Sequence, residues 1–179
     1  ANKGTGNWAT IATSELGVPS TLIANALFAR FTSSFKSQRQ KVASIFKSNA
    51  PVQTIEEEDL LKAYHFARII NHYQGFQLIS EAAKTHQWTI NLSELARVWT
   101  NGCIIKSELM KNLVSILEES TNLLDHPEIQ NELLLLKPIA NKVVASCVIS
   151  EIPISTLSES VNFLNQLKTG QGGWKGCCS

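Results

Sequence analysis

Between Trp8 and Leu167 the apolar side chains recur every three or four residues, and nowhere do they alternate convincingly over the length of a strand. A period near 3.6 gives a helix one buried stripe, whereas a half-buried strand needs a period of two. The chain is therefore expected to be all-α, a multi-helix bundle. Even the strand-like runs "LLLL" (133–136) and "KVVASCVI" (142–149) sit inside helical patterns without flanking turns. Trp8 to Leu16 reads as a short first helix ended by Gly17, which accepts the left-handed backbone of a helix end. Pro19 belongs to the first turn of the next helix, "STLIANALFARFTSSFKSQRQKVASIF". Its apolar positions Leu22, Ile23, Ala26, Leu27, Ala29, Phe31 and Phe35 cover more than one face, which implies burial on several sides.

"SNAPVQT" is a linker by composition, followed by one long helix from Ile55 to His86. Gly75 inside that helix costs about 1 kcal/mol against alanine, a cost explained if another helix passes close by. "NLSELARVW" and "CIIKSELMKNLVSILEE" give two more helices, separated near Asn101 and Gly102. Pro127 opens the next with Asp125 as its N-cap, and the pattern continues to Ile149 and Pro153. Ser155 then caps a last helix, Thr156 to Leu167. Residues 1–168 form one helical domain in this reading. Residues 169–179, "TGQGGWKGCCS", are Gly-rich and aperiodic, and are expected to be disordered or introduced by cloning.

The chain has 179 residues, 44% hydrophobic and 17% charged, with a net charge of +1. That length is enough for one domain with a sizeable core. Near-zero charge argues against a nucleic-acid partner. The acidic run Glu56–Asp59 opens a helix, where carboxylates complement the dipole. No apolar run approaches the ~18 residues a membrane span needs, and no signal-peptide pattern is present. Cys103 and Cys147 lie in apolar helical patterns as small core residues, while Cys177 and Cys178 lack the spacing of a zinc site. A cytoplasmic, reduced setting is expected. The ending "GCCS" does not match C-a-a-X, because Gly176 stands where the cysteine belongs.

"KGTGNWA", Lys3 to Ala9, fits the G-x-G-x-x-G/A dinucleotide loop. That loop must follow a buried strand and needs an acid about 20 residues later. Only two residues precede Lys3, and the later position reads "LIANALFARF", so both tests fail. A glycine-rich helix start can still hold an anion on its backbone N–H groups, with Lys3 adding a point charge. Arg30, one helix on, could fork onto phosphate oxygens; between apolar neighbours it either snorkels outward or lines a polar cleft. His65, His72, His86 and His126 form no ligand set, so no metal site is expected. No G-x-S-x-G elbow or Cys/His pair is evident.

The stretch "KGTGNWATIATSELGVPSTLIANALFARFTSSFKSQR" resembles the C-terminal helical domain of the 6-phosphogluconate dehydrogenase family. There the pattern runs K-G-T-G-K-W-T, L-G-x-P and V-F-A-R-x-x-S-S-x-K-x-x-R. The likeness continues, in family order, through "ARIINHYQGFQLISEAAK", "WTINLSELARVWTNGCIIKSELMKNL" and "SEIPISTLSESVNFLNQL". The resemblance implies oxidative decarboxylation of 6-phosphogluconate by NADP in the pentose phosphate pathway, and a homodimer built through the helices. It also implies that Lys3 and Arg30 bind the substrate's phosphate. The family's catalytic lysine and glutamate have no counterpart here, nor does its closing R-D-Y-F-G-A-H tail. NADP would be bound by an N-terminal Rossmann domain that these residues do not include, so the chain alone is expected to be inactive. Asn7, Asn101 and Lys106 depart from the family's lysine, glycine and arginine. A second reading is a non-catalytic helical dimerisation or binding module that kept the fold.

Overall fold

The computed structural model describes residues 4–102 and 106–169. Lys3, Cys103, Cys177, Cys178 and most of the Gly-rich tail lie outside them. The described residues are helical with no strand: α1 (Thr5–Glu15), α2 (Thr21–Ser34), α3 (Lys36–Ile45), α4 (Glu57–Thr85), α5 (Leu92–Trp99), α6 (Glu108–Glu119), α7 (Pro127–Ile149) and α8 (Ser155–Lys168). The all-α expectation holds, including for the two strand-like runs, which both lie within α7.

The long helices α4 and α7 run antiparallel and form the spine. Asp59 meets Lys142 at 2.7 Å and His65 meets Glu132 at 2.7 Å, so position numbers rise on one helix as they fall on the other. Between them lies the core, with Ala63, Phe66, Ile69 and Ile70 on α4 and Ile129, Leu133, Ala140, Val143 and Cys147 on α7. Spacings of three, four and seven residues, with Ile69 and Ile70 adjacent, place each set on one helix face. Cys147 is buried there, as the sequence suggested. Pro138 sits within α7 at an exposed position, where the carbonyl it leaves unpaired can face water.

The pair α5–α6 closes one side of the core through Leu92, Ala96, Leu109, Met110 and Leu113. Its N-termini are capped by side chains: Asn91 Oδ1 accepts from Glu94 N, and Ser107 Oγ from Met110 N, both at 3.1 Å. Ser93 Oγ donates to the Val114 carbonyl at 2.8 Å and locks the two helices together.

α2 is anchored from outside itself. Its N-cap residue, Ser20, makes no capping bond. Instead Gln74 of α4 reaches across: its Oε1 accepts from Leu22 N at 2.9 Å and its Nε2 donates to Thr21 Oγ1 at 3.1 Å. Gln74 is 1% exposed, so both halves of its amide are satisfied away from water.

Several local expectations are corrected. The run 20–46 is two helices, broken at Phe35. The hydroxyls of Ser33 and Ser34 bond back to the carbonyls of Arg30 and Phe31, both at 2.6 Å, and Arg39 Nη1 donates to the Ser33 carbonyl at 3.0 Å. Such bonds offer the backbone an alternative to helix continuation. Burial on several sides also fails: only Leu22 and Leu27 of α2 are buried, while Phe28 and Phe35 are more than half exposed. No helix presses on Gly75, where an added Cβ would meet nothing within 4 Å. Pro19 precedes the N-cap rather than entering the first turn. Asp125 ends a 3-10 turn, with its carboxylate on Asn122, and His126 takes the cap position of α7. Ser155 is the first residue of α8, and Ile154 stands at the cap.

His72 lies on α4, and its Nδ1–H donates to the Arg68 carbonyl at 2.6 Å. Burial lowers its pKa below the ordinary 6.5, and the Arg68 charge lowers it further, against the opposing carbonyl bond. The folded protein thus binds this proton less tightly than the unfolded chain. Stability should fall as pH drops below about 6.5 until the folded ring itself charges. Thermal melts from pH 8 to 5 should show a smaller acid loss in His72→Gln than in the wild type; parallel curves would refute this. Replacing the anchor, Gln74→Leu, strands the Leu22 N–H in the core. Urea unfolding should then show a loss of about 1–3 kcal/mol, and an unchanged midpoint would refute it.

Candidate functional site

The glycine-rich start is more tightly built than its sequence suggested. Gly4 occupies the N-cap of α1 at φ 81°, a left-handed backbone that favours glycine. The helix therefore begins at Thr5, three residues before Trp8. Trp8 N is the first rung, bonding to the Gly4 carbonyl at 3.1 Å. The N–H groups of Thr5, Gly6 and Asn7 precede that ladder and face outward from the positive end of the helix dipole.

Gly6 fixes where this turn sits. An added Cβ would lie 3.4 Å from Leu27 Cδ1, so glycine lets the start of α1 lie directly on α2. Arg30 follows Leu27 by three residues, one turn further along α2. The structure thus brings the G-T-G turn and the Arg30 segment together. It does not extend to Lys3.

Leu22, Ala26 and Arg30 are spaced by four and form one stripe of α2. The first two line a cleft of ≈ 730 Å³ between α2, α4 and the segments that begin α6 and α8. Arg30 is exposed and continues this stripe beyond Ala26. Arg30 is not among the residues that line this cleft.

The cleft contains residues that the sequence did not single out as a site. Arg68 crosses it from α4, with Nη2 donating to Ser107 Oγ at 2.7 Å and its guanidinium carbon 5.8 Å from the Tyr64 ring centroid. Lys106, Asn71 and His72 complete the polar lining, and Thr156 hydrogen-bonds to Asn25 at 3.3 Å beside it. The available signal was the spacing of Tyr64, Arg68 and Asn71 at i, i+4 and i+7, a polar stripe on α4. His65 is engaged by Glu132 on α7 and does not join His72 in the cleft. Among the described residues no three His, Cys, Asp or Glu side chains gather as a metal site would require. No helix among them is long and apolar enough to cross a membrane.

With this geometry in place, the relatives are informative. The family model of the 6-phosphogluconate dehydrogenase C-terminal domain matches residues 1–174. A decarboxylating 6-phosphogluconate dehydrogenase from Haemophilus ducreyi is 36% identical over 170 residues, covering 91% of this chain and 35% of that protein. The Staphylococcus epidermidis enzyme of the same name is 31% identical, covering 93% and 37%. Plasmodium falciparum 6-phosphogluconate dehydrogenase, solved in its apo form and with NADP+ or 6-phosphogluconate, superposes with a TM-score of 0.85 at 30% identity. That superposition covers 93% of this chain and 38% of the other. The chain thus spans 35–37% of the length of these curated relatives. Sequence, fold and element order agree along nearly its whole length, and the chain belongs to the 6-phosphogluconate dehydrogenase C-terminal domain family.

Proposed function

We propose that the chain is the helical C-terminal part of a decarboxylating, NADP-dependent 6-phosphogluconate dehydrogenase, and that Lys3 and Arg30 hold the substrate's phosphate. The observation that carries this reading is the Gly6–Leu27 packing, which seats a helix N-terminus beside the turn of α2 bearing Arg30. A phosphate there would meet first-turn N–H groups, a lysine ammonium and a guanidinium fork. Asn7 in place of the family's lysine removes one further charge but no backbone donor.

The rest of the reaction belongs to residues that the chain does not contain. The described residues offer no strand–turn–helix unit to fit NADP, so hydride transfer depends on a nucleotide-binding domain. In this reading the enzyme is a cytoplasmic homodimer. The exposed aromatics Phe28, Phe31, Phe35 and Phe46 along α2 and α3 support an interface there.

In the enzyme that carries these residues, Arg30→Ala should raise KM for 6-phosphogluconate by about ten- to a hundredfold, the loss of one charge-assisted contact. KM for NADP should stay near the wild-type value, and Arg30→Lys should fall between. An unchanged substrate KM would remove Arg30 from the site. Residues 1–179 alone should give no NADPH on mixing with 6-phosphogluconate and NADP, followed by absorbance; measurable turnover would overturn the division of labour.

A further inference from the structure

The Arg30 stripe leaves the two cations of the cleft itself without an assignment. Arg68 and Lys106 both line it, and none of its lining residues is an aspartate or glutamate. Among the described residues neither cation has a carboxylate partner. Two positive charges facing one concavity repel each other and gain nothing from it unless an anion enters.

Arg68 is held in that position. Ser107 Oγ accepts from its Nη2, and the same oxygen caps α6 by accepting from Met110 N. Tyr64 lies under the guanidinium. The arginine is thus ordered before any ligand arrives, which lowers the entropy lost on binding. Its remaining N–H groups keep the planar fork that matches phosphate oxygens.

We propose that Arg68 and Lys106 form a phosphate-binding seat in the α2–α4 cleft, separate from the one assigned to Lys3 and Arg30 and independent of it. Charge selects the ligand class. A phosphate monoester carries about −1.5 to −2 near neutral pH and balances both cations, whereas a carboxylate leaves one unmatched. Asn71 and Thr156 place neutral hydrogen-bonding groups around the seat for a hydroxylated ligand. The starts of α6 and α8, at Ser107 and Thr156, add the positive ends of two helix dipoles.

His72 lines the same cleft and reports on it. Its ring resonances, followed by NMR while inorganic phosphate is titrated into the protein, should shift saturably. Lys106→Gln alters an exposed side chain with no bond to the fold, and should weaken this binding about tenfold or more. Arg68→Gln should abolish it and Arg68→Lys should restore part of it. D-gluconate, a hydroxylated carboxylate without a phosphate group, should bind far more weakly. Arg30→Ala should leave the His72 response unchanged, so failure of the Arg30 site and failure of this one read differently. The seat is refuted by a silent His72, by wild-type affinity in Lys106→Gln, by equal binding of gluconate, or by loss of the response in Arg30→Ala.

Discussion

One buried amide sets the position of the α2 wall of the cleft. Gln74 stands on the spine helix and uses its carbonyl oxygen on the Leu22 N–H and its NH₂ on the Thr21 hydroxyl. The start of a helix normally finds its acceptor in its own cap residue, and Ser20 does not serve. Because the amide is buried, neither partner could exchange its bond for water. α2 is therefore fixed to α4 in register as well as in direction. Leu22, Ala26 and Arg30 inherit that register, and so does the cleft wall they form.

The spine must itself be rigid for such an anchor to matter. Asp59–Lys142 and His65–Glu132 tie α4 to α7 at two levels, across a core with few polar atoms. These pairs are partly exposed and worth little singly. Their use is in register: a slip of one turn would separate both pairs and misalign the alanine and isoleucine faces of the core. Gln74 sits further along the same helix and transmits that alignment to α2.

The helices were legible because their signal is local. Leu60 to Ile79 repeats at 3.6 whatever its surroundings, so α4 could be read within a residue or two of Glu57–Thr85. The break at Phe35 was hidden because Thr32, Ser33 and Ser34 are tolerated in helices and also favour leaving them. Asp125 and Ser155 are good cap residues by type, yet each missed the cap by one position, since the turn geometry before the helix decides which residue takes it. The cleft was least legible. Arg68 sits in "ARII", where a lone arginine between apolar residues reads as a snorkelling side chain. Only packing among α2, α4, α6 and α8 gathers it with Lys106, and four-helix juxtapositions leave no trace in linear spacing. The Gly4–Gly6 turn was legible in kind, as a glycine-rich helix start, but its seat on Leu27 was not.

The exposed phenylalanines expose a dependence that the anchor at Gln74 does not meet. α2 is fixed at its first turn, while Arg30 lies more than two turns beyond it, near the exposed end that carries Phe28, Phe31 and Phe35. At that end α1 packs on one side, through Gly6 and Leu27. If a second copy covers those rings, as in the proposed homodimer, assembly would bury their apolar area. Arg68 lies away from that end, where Ser107 and Tyr64 hold it within the chain.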